Sequence, residues 1–423
     1  MSNKKKNLIY RITFFFIFIF FGYGFSVQED SSGGGQNDFL LHIYNNILLF
    51  KNYDLIDIPW GFYNSSSLPL YYLITKFLIP FKDPYIFKLF TFFLSLSCVF
   101  IFYKILQKKY NELNNHNHIF LIISVIPLLS PYFRTSAFWG IEENIAYFFF
   151  LITCYFYFKD LKKPINFFLL IFFASITFYG RQNYAFLSII IFLQLFDFKS
   201  IFVRRNLYLV SLFVSFLLPS LYFFFKWGGA IVTNINYPRS LAFNFFNIPI
   251  ILSIFFFYYI PLIIINFNYY FKKSISLNKL IVLTILFCIF LVIFKQDPEI
   301  LFSQKLGGGV IYKLIFNFGF LNNYKNFALV LFLFISFLGL SFSIFYCRKN
   351  FQYLIYFVIS LFIFSFGNIV FQEYFDPLIF FVIFIFGNFF KKNEIAKVCN
   401  SFLIFYFLLI ISTYIYRNYF IVN

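Results

Sequence analysis

Long apolar runs alternate with short polar knots along the 423 residues of this chain. Thirteen runs stand out, at approximately 8–25, 84–106, 119–133, 145–158, 165–179, 184–196, 207–225, 248–267, 280–294, 327–345, 353–366, 378–389 and 402–416. A helix needs ~20 predominantly apolar residues to cross the hydrocarbon of a bilayer. Several runs fall short of that, so their ends must extend into the flanking polar turns, and eleven to thirteen spans are expected. The predicted fold is all-α and polytopic, a single transmembrane domain over 1–423. The longest polar interruption, 26–83, is its first external loop.

Composition agrees with this pattern. The chain is 61% hydrophobic and 12% charged, with mean hydropathy +0.80, more apolar surface than a soluble domain can bury. The 79 Phe accompany abundant Ile, Lys, Asn and Tyr and read as the bias of an AT-rich genome. Five cysteines (Cys98, Cys154, Cys288, Cys347 and Cys399) are odd in number, lie in or beside spans and show no CxxC, so no disulfide framework or metal site is expected. The N-terminus, MSNKKKNLIYR before an apolar run, has the charge of a signal peptide. Its apolar stretch is long for one and no small-x-small site follows, so a retained first span is expected.

Charge then orients the spans. With the N-terminus in the cytoplasm, 21 of the 34 Lys and Arg fall on inner segments, whereas only Glu112, Asp160, Asp197 and Glu394 of the 16 acids do. This is the positive-inside pattern. The net charge of +18 is thus a topology signal, with no nucleic-acid footprint in it. The same alternation sends the polar chemistry to the outer face: 26–83, 134–144, 180–183, 295–325 and 371–377. Central parts of the candidate spans hold no ionisable residue, which argues against an ion-coupled transporter.

Within the first loop, GGGQNDFLLHIYNNILLF begins with glycines that permit a sharp turn. Asn37 or Asp38 can cap the helix that follows. Phe39, Ile43, Ile47 and Phe50 then form an apolar stripe at helical spacing, and Asp38, His42, Asn45 and Asn46 a polar one. An amphipathic helix in the outer interface is predicted, and a second short one near Leu68–Phe77.

Two interfacial helices after the first span resemble the GT-C superfamily of membrane glycosyltransferases. The motif order is most similar to the dolichyl-phosphate-glucose α-1,2-glucosyltransferase family. Its Asp-Glu-x-Phe-His element is matched, with altered spacing, by Asp38, Phe39 and His42. Its Thr-Pro-Pro-Gly-Leu-Tyr element is matched in part by SSLPLYYL, and its Arg-Gln-Thr-Asn element by Arg181, Gln182 and Asn183. The resemblance implies a polyprenyl-phosphate-linked sugar donor, a glycan or lipid-linked acceptor, and an acid in the first loop central to catalysis. The short loops point to a bacterial inner-membrane enzyme using an undecaprenyl carrier, or to the endoplasmic reticulum if the source is eukaryotic.

Transfer from a lipid phosphate to a hydroxyl needs a base for the acceptor proton and donors for the departing phosphate. Asp38 is the candidate base, with His42 beside it; Arg181, with Gln182, is the candidate phosphate ligand, since a guanidinium matches phosphate oxygens in pairs. Read structurally, Asp38 is a helix cap and Arg181 an interface anchor. Glu142 and Glu143 either complement a helix dipole or orient acceptor hydroxyls, supported by Arg134 and Trp139. Gln372 and Glu373 are expected at the same cavity, and Gly307–Gly309 in a flexible external loop. Neither His116 nor His118 has acids or cysteines near enough for a metal site; a divalent metal is nonetheless compatible with the chemistry. A polysaccharide polymerase or ligase, or a non-enzymatic lipid-linked-sugar flippase or transporter, would share these spans.

Overall fold

The computed structural model describes residues 3–54, 57–58, 62–63, 65, 67–111, 117–226, 243–266, 277–303, 307–316, 321–348, 350–366, 369–387 and 394–416. They are helical with no strand among them, and the protein is an all-α polytopic membrane protein. Where the sequence predicts one domain, the chain divides into two compact units, Met1–Arg239 with Leu403–Asn423, and Ser240–Phe402.

Among the described residues six helices are long and apolar enough to cross a membrane, and seven if one bent pair counts as a span. Four further apolar helices are shorter: Pro164–Gly180, Gln182–Leu195, Ile281–Ile293 and Phe351–Ser365. The run at 378–389 is a different object. It forms only Leu378–Ile385, eight residues long and buried throughout. At a rise of about 1.5 Å per residue it covers roughly 12 Å, far short of a bilayer core.

The first unit opens with α1 (Asn3–Ser26), whose exposed Leu8, Ile12, Phe15 and Ile19 offer an apolar flank to lipid. Gly33 and Gly34 then take positive φ (81° and 86°) and turn the chain. Gly35 lies so close to the Thr135 and Trp139 side chains that a Cβ would collide with both. From Gly35 a helix runs through α2 (Gly35–Asp38), a π-helical turn (Phe39–Ile43) and α3 (Tyr44–Asn52). Its predicted apolar stripe is buried: Phe39, Ile43, Ile47 and Phe50. Each such side chain contributes about 1.5–3 kcal/mol on transfer from water. The second loop helix, α4 (Leu70–Leu78), packs on α3.

Helices α5 (Pro84–Lys109), α8 (Glu143–Tyr157) and α9 (Pro164–Gly180) pack side by side, α8 in the middle. Asp83 caps α5, its Oδ1 accepting from the Tyr85 N–H at 2.8 Å, with Pro84 at the first helical position. Between α5 and α8 the chain bends by 70° where α6 (Asn117–Val125), continued by a 3-10 turn to Leu129, meets α7 (Pro131–Trp139). Local chemistry sets that break: Pro127 and Pro131 lack N–H donors, and Ser130 caps α7 through the Phe133 N–H at 3.1 Å. Gly140, at φ 70°, ends α7 and leads into Glu142. After α9 come α10 (Ala185–Leu195) and α11 (Arg204–Lys226).

The second unit centres on helix Asn247–Ile265, flanked by Gly309–Phe316, Lys325–Cys347 and Phe351–Ser365. Its GGG segment is built into the fold and is not a loose loop. Gly307, Gly308 and Gly309 all have φ near 80°, and the Gly308 N–H donates to the Val370 carbonyl at 2.8 Å. All five cysteines are unbridged, as their spacing predicted.

Candidate functional site

Three loops predicted on one face converge in the first unit: the loop after α1, the α7–α8 junction and the α9–α10 junction. Close helix contact makes this meeting possible. A Cβ on Gly180 would come within 3.1 Å of the Ala146 backbone, so α9 ends directly against the first turns of α8. Arg181, the next residue, forms an ion pair with Glu143, and both side chains are largely covered. The guanidinium predicted as a phosphate ligand is thus already oriented by an acid, which a snorkelling anchor does not require.

Glu142, though at the N-cap position of α8, makes no capping bond. Its carboxylate turns to the first loop, where Ser65 Oγ donates to Oε1 at 3.1 Å. Buried Tyr63 and Tyr72 stand in its field. Burial pushes both phenols well up and the Glu142 charge adds to it. Tyr72 also accepts from Asn46 Nδ2 at 3.3 Å, and Tyr63 donates to the Ser67 carbonyl at 2.6 Å. Ser65, Tyr63 and Tyr72 went unnoticed in the sequence, since nothing local marks a Ser or Tyr as the neighbour of an acid 70 residues away.

Asp38 is exposed at the end of α2, directly before the π turn. It does not cap its helix. That role belongs to Asp30, whose Oδ2 accepts the Gly35 N–H at 3.1 Å, while Thr135 Oγ1 takes the Ser32 N–H at 2.9 Å. Crowding by surrounding protein raises the Asp38 carboxyl above its ordinary value; His42 pulls it back, Asp30 pushes it further and Arg181 pulls it down. Asp38, His42, Arg181 and, through Arg181, Glu143 therefore share one electrostatic neighbourhood. Gln182 begins the 3-10 turn Gln182–Tyr184 beside it. The π turn widens the helix between Asp38 and His42, a feature frequent at functional sites.

Buried polar atoms without a hydrogen-bond partner gather in the same place. Among the described residues they include Ser67 Oγ, Glu142 Oε2, Glu143 Oε2, Asn144 Oδ1 and Asn183 Oδ1. A buried polar atom costs about 1–3 kcal/mol if its hydrogen bond is left unmade, so this is a costly polar cluster within the first unit.

Other expectations resolve differently. Arg134 is no ligand for a donor. It is fully buried and gripped by Glu29, with Nε to Oε1 at 3.0 Å and a second contact to Oε2, and by the carbonyls of Leu128 at 3.2 Å and Phe20 at 3.3 Å. Trp139 donates from Nε1 to the Glu29 carbonyl at 3.2 Å, and Lys88 Nζ sits 3.9 Å above its ring. The Glu29–Asp30 pair was visible as an acidic dipeptide closing the first span, but its partners lie about a hundred residues on. Gln372 and Glu373 belong to the second unit. Both ends of buried Gln372 are used there: Oε1 accepts the Val310 N–H at 2.7 Å and Nε2 donates to the Tyr258 hydroxyl at 3.1 Å. Glu373 neighbours Lys313. Arg239, Asn64 and His116 lie outside the described residues. Among the described residues no group of three or more His, Cys, Asp or Glu is placed to hold a metal ion. No protein-family model, no curated protein and no solved structure matches this chain.

Proposed function

We propose that the protein is a membrane glycosyltransferase that moves a sugar from a polyprenyl-phosphate donor to a hydroxyl of a glycan or lipid-linked acceptor, at the outer face of a bacterial inner membrane. The supporting observation is the convergence of Asp38, His42, Glu142, Glu143 and Arg181 from three separate loops onto one patch rich in unmade hydrogen bonds. In this reading the exposed Asp38 carboxylate takes the acceptor proton as its oxygen attacks the anomeric carbon. The bond to the donor phosphate breaks, and Arg181, steadied by Glu143, receives the negative charge that departs with it. Glu142 and Ser65 orient acceptor hydroxyls. Two acids of different environment, one exposed and one buried, suit a base and a binding group respectively.

The test is transfer by purified protein given a labelled undecaprenyl-phosphate hexose and a membrane-lipid extract as acceptor. Labelled glycolipid should form, and Asp38→Asn, which keeps size and leaves the helix start to Asp30, should cut the rate by about 10²–10⁴-fold. Arg181→Lys should weaken donor use, because a lysine lacks the paired N–H groups. Unchanged turnover in folded Asp38→Asn removes the base from the mechanism.

A further inference from the structure

At the far end of α5 from this patch, about 39 Å along a 26-residue helix, lies a cleft of about 660 Å³. Lys104 and Lys108 line it, one helical turn apart, and Gln107, Asn111 and Asn117 add amide groups. Its wall on α8 is Tyr155. Lys108 Nζ lies 4.1 Å from the centre of that ring, and Lys159 Nζ approaches the same ring at 4.7 Å. Two ammonium groups thus line one small volume with a third close to its wall, and among the described residues lining it none is a carboxylate. Asp160, which follows Lys159, is exposed and accepts the Lys162 backbone N–H at 3.0 Å. Phe120 and Phe158 complete the lining with apolar surface.

The geometry points to a binding site for the phosphate headgroup of an anionic lipid, held between the ends of α5, α6 and α8. Like charges gathered around one ring repel until an anion lies among them, and phosphate oxygens accept from both ammonium and amide N–H groups. The aromatic rim at the end of apolar spans suits the glycerol and first methylenes of a lipid better than a fully hydrated ion, and basic pockets between spans commonly hold such headgroups. This site is independent of the transfer chemistry proposed above and shares no residue with it.

The experiment uses the full-length protein in detergent, titrated with phosphatidylglycerol, with phosphatidylcholine of the same chains, and with inorganic phosphate, bound molecules being counted by native mass spectrometry. Phosphatidylglycerol should be retained in preference to phosphatidylcholine. Lys104→Gln and Lys108→Gln should each weaken it about fivefold and together roughly 25-fold. Lys162→Gln, which removes a lysine outside the cleft, should leave affinity unchanged. Equal retention of the two lipids, or an unaffected double variant, overturns the site. Displacement of phosphatidylglycerol by millimolar inorganic phosphate overturns the assignment to lipid.

Discussion

Asp38 and Glu142 show how environment separates two carboxylates of one site. Asp38 is solvent-exposed yet crowded, and its carboxyl is raised by that crowding, lowered by His42, raised again by Asp30 and lowered by Arg181. A base acts in its deprotonated form, so on the proposed reaction kcat/KM should fall on acidification through a value above the ordinary aspartate range. Removing the nearest cation must raise that value further. The acid limb of the pH–rate profile should therefore move to higher pH in His42→Gln, while the plateau at high pH is largely kept. A limb that stays in place, or moves to lower pH, would show that another group titrates.

At the scale of elements, the turn after α1 is held by an ion pair between a fully buried arginine and a partly exposed acid. Arg134 on α7 has no solvent exposure, and its guanidinium lies over the rings of Phe20, Phe21 and Phe138 while it binds Glu29. Removing the acid strands that buried guanidinium in an apolar setting, at a cost of about 3–5 kcal/mol. Glu29→Gln should lower the unfolding midpoint in detergent steeply. The double variant Arg134→Met/Glu29→Gln should recover much of the loss, because no uncompensated charge remains. A thermal or denaturant melt of the three proteins decides it: equal melting of the single and double variants would mean that packing, not charge, holds the turn. Because Asp30 of the same turn starts the helix that carries Asp38, the single variant should also reduce transfer.

Across the first unit, three loops predicted on one face meet one another, and contacts also join segments predicted on the other. Residues of 26–83, 134–144 and 180–183 share the candidate site, while Tyr10 stacks near His118 at 5.2 Å and Lys108 meets Tyr155 at the opposite helix ends. If that sorting corresponds to two sides of a membrane, a cysteine at exposed Asn45 should react with an impermeant thiol reagent on intact cells. One at exposed Lys162 should react only after permeabilisation. A Cys288→Ser background removes the one exposed native thiol among the described residues. Labelling in the reverse order would invert the molecule and move the site to the cytoplasm.

Hydropathy is a local property, which is why so much of the fold is legible in the chain. The spans, the glycine turn at 33–35 and the apolar stripe from Phe39 to Phe50 each depend on residues within a few turns of one another. The acids and arginines that cluster were likewise confined to particular loops. Run length misled where a run broke at a bend, as at 119–133, and where burial replaced lipid, as at Leu378–Ile385, whose eight apolar residues are all buried. Partner choice among polar groups was not legible, because it is set by how closely helices pack. Gly180 against Ala146 brings Arg181 to Glu143, and the 70° bend before α7 brings Arg134 and Thr135 to Glu29 and Asp30. The same arginine type thus became a buried strut at 134 and a site residue at 181, and Gln372 a hydrogen-bonded bridge within the second unit. The sequence by itself determined a helical membrane protein and the residues available for its chemistry. Only the tertiary structure decided which charges neutralise each other, because that depends on distances between segments far apart along the chain.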